Sequence, residues 1–128
     1  MHRATLLLAF SLITTAGCAH TNQLTWKVES SDEMRQLLSA QLPHGTNVDE
    51  AKRFMEREGF SCKIERNGTF VEKTWFGAQE PRHENIDFLD CRRTQSYGLL
   101  VARFWGVALV LDGDEVEDVL VSRFIDGP

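Results

Sequence analysis

The chain has no basic excess: Lys and Arg number 14 against 19 Asp and Glu, for a formal net charge of −5. No run of Lys or Arg occurs, so nothing is supplied to neutralise a phosphate backbone, and nucleic-acid binding is excluded. Proline is scarce, with three residues, and no Pro/Gly-rich linker, internal repeat or low-complexity tract divides the sequence. Undivided, 128 residues make one domain. Cysteine is limited to three residues, and neither a C-x-x-C nor an H-x-x-x-H spacing is present. A metal centre from Cys62, Cys91, His44 and His83 is therefore not expected. Calcium binding by the acidic run Asp112, Asp114, Glu115, Glu117 and Asp118 is not expected either, because the required glycine and distal glutamate are missing. A phosphate-cradling loop, a paired-carboxylate motif and a nucleophile–base pair are also missing, so we expect neither an enzyme nor a cofactor.

What is present begins at the N-terminus. Met1-His2-Arg3 is a short basic segment, and Ala4 to Thr15 is an apolar core of about a dozen residues. A permanent spanning helix needs roughly 20 residues, so this length is that of a secretory signal. No second run of spanning length follows; the longest, Val107 to Leu111, suits a buried strand. The signal ends in Thr15-Ala16-Gly17-Cys18, small residues immediately before a cysteine, which resembles the box of bacterial lipoproteins. That resemblance implies cleavage before Cys18, a diacylglycerol on its sulfur and an acyl chain such as palmitate on its new amino group. Two or more chains anchor a protein stably where one does so marginally. Ala19 follows the cysteine, which in such lipoproteins favours the periplasmic face of an outer membrane. Ordinary signal cleavage after Ala19 is the alternative.

The resulting organisation is a signal over 1–17, a lipidated tether over 18–29 containing a single Trp26, and a domain over 30–128. Removing the signal takes away Arg3 alone and leaves a more acidic chain. Ser30 three residues before Glu33 is the pattern of a capping box, and Met34, Leu37, Leu38 and Leu42 follow at helical spacing. Pro43 and Gly45 end that helix. Thr46 or Asn47 caps a second one with Asp49 and Glu50 in its positive first turn, and Gly59 supplies its left-handed end. Phe60 to Glu65 alternates with period 2, Asn67-Gly68 predicts a two-residue hairpin turn, and Thr69 to Phe76 returns as a strand. Gly77 to Asn85 reads as a loop, Ile86 to Arg93 as a strand and Thr94 to Gly98 as a turn. Leu99 to Leu111 and Val116 to Ile125 are the last two strands. The fold class is α+β: an N-terminal helix hairpin followed by an antiparallel meander packed on one face.

The strand from Phe104 to Leu111 is apolar on both sides, with Trp105, Val107, Leu109 and Leu111 opposite Phe104, Ala108 and Val110. Its second side needs cover, for which Trp26, Trp75 and Phe76 are available; otherwise it is a docking surface. The element order resembles the small outer-membrane-assembly lipoproteins and the β-lactamase-inhibitory-protein-like domains, which act by protein–protein contact. The pieces Gly59 to Cys62 and Leu89 to Arg92 are also similar to uncharacterised bacterial lipoproteins.

With Cys18 acylated, Cys62 and Cys91 remain, each in a predicted strand and in a compartment that permits disulfides. A bridge would close a loop of about thirty residues; two buried thiols that merely pack are the alternative. The Asn67-Gly68 hairpin conflicts with the bridge, because it places another strand beside Cys62. Arg92, Arg93 and Arg103 are expected to pair with carboxylates. The functional expectation is an envelope lipoprotein, held to the bilayer through Cys18, whose non-enzymatic domain binds a protein through the face around Trp105 or the loop at His44. A purely structural envelope component and a small secreted enzyme are the alternatives.

Overall fold

The two helices start and stop where local chemistry directs. In the computed structural model, which describes residues 23–73, 79–97 and 99–126, helix α1 spans Ser31–Gln41 and α2 spans Val48–Arg57. The Glu33 N–H donates to Ser30 Oγ at 3.1 Å, and the Glu33 carboxylate accepts from the Glu29 N–H at 3.4 Å, one residue before the cap. Asn47 caps α2 by accepting from the Asp49 N–H at 2.8 Å. At the other end Gly59 takes φ +89°, and the N–H groups of Gly59 and Phe60 donate to Glu56 and Met55 carbonyls at 3.0 Å, closing a Schellman end.

Four antiparallel strands follow in the order β1-β2-β3-β4: β1 Ser61–Lys73, β2 Gln79–Tyr97, β3 Val101–Asp112 and β4 Glu115–Asp126. The fold is therefore α+β, with two helices preceding a four-stranded antiparallel sheet. Met34, Leu38 and Leu42 from α1 and Val48, Ala51 and Met55 from α2 form one core with Leu89, Cys91, Trp105, Val107, Leu109 and Val121 of the sheet.

The expected turn at Asn67-Gly68 does not form; β1 runs through it to Lys73, and the chain reverses between Lys73 and Gln79. A two-residue hairpin of the favoured type needs positive φ at both central residues. Here only Asn67 has it, at +51°, and its N–H donates to the Asp87 carboxylate at 2.8 Å. One left-handed residue bends a strand without reversing it, and the register shifts on either side of Gly68 mark the bulges. The expected loop Gly77 to Asn85 is strand from Gln79, and the expected turn at Thr94 is strand to Tyr97. Pro81 is tolerated because pairing of β2 with β3 begins only at Phe88, which leaves that edge of the outer arm free of ladder donors.

The bulged arm of β1 and β2 folds back over the second face of the sheet. Phe70 and Phe88 meet edge to face with centroids 5.9 Å apart and cluster with Ala108 and Leu120. The Lys73 N–H donates to Ser122 Oγ at 2.9 Å, which joins β1 to β4 across the two strands between them. This cover explains why β3 is apolar on both sides. Phe70 and Phe88 supply it; Trp26 lies against the other face, and Trp75 and Phe76 fall outside the described residues.

Candidate functional site

Residues expected as the end of a tether are fastened to the sheet. The Arg93 side chain, buried in the middle of this contact, lies between two aromatic rings, 4.3 Å from the Trp26 centroid and 4.5 Å from that of Phe60. Its Nη1 donates to Thr25 Oγ1 at 2.6 Å and to the Glu58 carbonyl at 2.9 Å, and its Nη2 to the Thr25 carbonyl at 3.3 Å. Glu58, also buried, accepts from the Thr25 N–H at 2.7 Å through its carboxylate and from Trp26 Nε1 at 3.1 Å through its carbonyl. Further along, Gln95 donates to the Trp26 carbonyl, and Arg103 reaches the Val28 carbonyl at 3.4 Å and the Glu29 carboxylate at 3.6 Å. Arg103 and Arg92 thus find the expected carboxylates, Arg92 at Asp90 3.2 Å away, and carbonyls, a hydroxyl and π faces are among the groups that hold Arg93. The only local sign of this clamp in the sequence is Trp26 within a polar stretch.

Trp105 sits directly between Arg93 and Arg123 in the cross-strand register, and the Arg123 guanidinium carbon is 5.3 Å from its ring centroid. It is 2% exposed. Trp105 is therefore corrected from a partner surface to a core residue: the side of β3 it occupies is the one against which the helices and the segment 23–29 pack. His44 is exposed in the loop between the helices. That loop is sewn to the start of β4 by hydrogen bonds from Gly45 N–H to the Val116 carbonyl and from Val116 N–H to the Thr46 carbonyl, both 2.8 Å. His44 thereby lines a shallow cleft with Glu117 and Asp118 beside the acidic turn. Cys18 lies outside the described residues.

Cys62 and Cys91 are direct cross-strand partners, with sulfurs 3.1 Å apart. The conflict anticipated from Asn67-Gly68 vanishes because that site is a bulge. Both cysteines are free thiols here, Cys62 half-buried and Cys91 buried. Burial foremost, then the hydrogen bond with Cys62 and the charges of Asp90 and Glu56, push the Cys91 thiol well above its ordinary value. His83 lies far along β2 from this pair, and its Nε2 is 3.1 Å from Glu72, which also accepts from Arg35 at 2.8 Å.

Arg35 and Glu72 of this cluster line a cleft of about 460 Å³ between the first turn of α1 and the folded arm. Its polar groups answer one another: Arg35 also pairs with Asp32 at 3.2 Å, and Ser30 Oγ is occupied by the Glu33 N–H. The cluster braces the arm against α1. Among the described residues no three His, Cys, Asp or Glu side chains converge as a metal site would require. Comparison of the chain with protein-family models, with curated proteins and with solved structures gives no match.

Proposed function

We propose that the protein is an exported lipoprotein of a bacterial envelope. Residues 1–17 are its signal, Cys18 its acylated N-terminus, and the α+β domain, with α1 and α2 as a helix hairpin on one sheet face, a non-enzymatic module that binds another protein. The observation that carries this reading is the clamp on Thr25, Trp26 and Val28. It fixes the segment that emerges from the lipoprotein-like box, so an acylated Cys18 would hold an oriented domain close to the bilayer. The partner surface in this reading is the exposed His44 loop with the neighbouring acidic turn of β4, at the end of the sheet away from the clamp. On the outer membrane, the domain would face the periplasm.

In the same reading Cys62 and Cys91 are bridged after export. Each sulfur gives up its proton, and the pair transfers two electrons to the disulfide of an exchanging protein, which leaves as a dithiol. Intact mass spectrometry of the protein from the membrane fraction tests both statements. The expected species begins at Cys18, carries acyl mass, and resists alkylation at Cys62 and Cys91 until reduced. A chain beginning at His20, or an unacylated Cys18, overturns the anchor; two alkylated cysteines without reductant overturn the bridge.

A further inference from the structure

The turn joining β2 to β3 carries three consecutive apolar residues in the open. Leu99 is 100% exposed, Leu100 69% and Val101 39%. Isolated surface leucines need no explanation, but a run of them at a hairpin tip does. On the β1 side the tip also projects, whereas β4 reaches Asp126 opposite Ala102 beside it. Pairing of β2 with β3 continues to Tyr97 and Val101, while β1 begins only opposite Arg92, so the last residues of β2 extend beyond β1. Thr94 and Ser96, exposed on the approach, are uncharged.

Charge and reach both orient this end. The clamp on residues 25–29 is made by Arg93, Gln95 and Arg103, which belong to the same end of the sheet as the tip. The clamped segment carries one exposed charge of each sign, Lys27 and Glu29, so it brings no net negative charge there. At the opposite end of β3, about 40 Å away for twelve extended residues, Asp112, Asp114, Glu115, Glu117 and Asp118 are all exposed. Anionic headgroups would repel that end. Cys18 is five residues before Gln23, where description begins, and five residues span at most about 18 Å.

From this arrangement we infer that Leu99, Leu100 and Val101 enter the acyl boundary of the bilayer and act as a second, non-covalent membrane contact. The inference rests on acylation of Cys18. The anchor supplies a high effective concentration of lipid at the tip, so a few apolar side chains suffice for insertion that would be marginal in a free protein. The occupant is lipid rather than protein because the clamp holds Thr25 in the tip half of the sheet, and the seven residues from an acylated Cys18 to Thr25 span at most about 25 Å, which keeps the tip within reach of the bilayer.

The test places the photo-reactive residue p-benzoylphenylalanine in place of Leu100, or separately of Asp114, in the full chain expressed in its own envelope. After irradiation, intact mass spectrometry reads both the photo-adduct and the acyl mass at Cys18. The expected result is phospholipid adducts at position 100 at least tenfold above those at position 114. Protein adducts dominating at position 100 would assign the tip to a protein partner and overturn the inference. Equal lipid yields at the two positions, high or low, would overturn it as well. An unacylated Cys18 is read independently in the same spectra, so failure of the anchor is distinguished from failure of the tip.

Discussion

If Cys62 and Cys91 are bridged as proposed above, reducing that bridge should lower the stability of the protein by a calculable amount. The two residues are separated by 29 positions, and a loop of that size loses about 3.6 kcal/mol of denatured-state entropy when cross-linked. Strain in the native sheet would subtract from this figure; the direct cross-strand pairing of the two residues keeps it small. A domain of roughly 100 residues unfolds with an entropy near 0.2 kcal/mol per kelvin, so the midpoint should fall by about 15–20 °C. The measurement is thermal unfolding by circular dichroism, with and without a reductant, and with a Cys62→Ala/Cys91→Ala variant that should melt close to the reduced protein and ignore the reductant. A quantitatively bridged protein whose midpoint does not change on reduction would refute the loop-entropy reasoning. The reduced form should also depend on pH. Its buried Cys91 thiol titrates above the ordinary 9.0 in the folded state, so the folded state holds its proton where the unfolded chain has lost it. Stability is then level below about pH 8 and declines as pH rises through the thiol range. The bridged form, with no thiol to ionise, should show no such component.

Arg93→Ala should release the N-terminal segment: Thr25 and the Glu58 carbonyl lose charged donors in a buried setting, for a cost of about 3–5 kcal/mol. Limited trypsin digestion should then cut after Lys27 much faster than in the parent, and equal rates would show that the clamp does not restrain the segment. Gly59→Ala should cost about 2–4 kcal/mol, because φ is +89° and the new methyl would lie 3.0 Å from the Trp26 ring; urea titration measures it. Glu72→Gln should cost no more than about 1 kcal/mol, since Arg35 and His83 are both partly exposed, and an unchanged midpoint in 1 M salt but not in low salt would identify an electrostatic brace.

The helices were legible because their determinants are local. Ser30, Asn47 and Gly59 act on neighbours within a few residues, and each does what its type and position require. The sheet was legible in its strands but not in where it reverses. Asn67-Gly68 carries the residue types of a tight turn, yet whether the second residue also goes left-handed is decided by the pairing of β1 with a long β2, including Asp87 twenty positions away. The arm itself was hidden because its exposed polar residues and Pro81 look like a loop when no core imposes alternation. The cysteines could be named as a pair but not aligned until the reversal was moved past Lys73. The clamp was beyond reach: an arginine on a strand suggests a carboxylate partner, and nothing near Arg93 in sequence points to Thr25, 68 positions earlier.

That separation has a consequence for the order of events if the chain is exported N-terminus first, as proposed above. The segment around Trp26 emerges early, but the side chains that hold it belong to β2 and β3, with Val28 waiting for Arg103, 75 positions later. Most other contacts form between consecutive hairpins and can close as each strand appears. The protein therefore captures its own beginning near the end of folding. If Cys18 is processed as proposed, the leading segment would stay open to the enzymes that act there until β2 and β3 are in place to close over it.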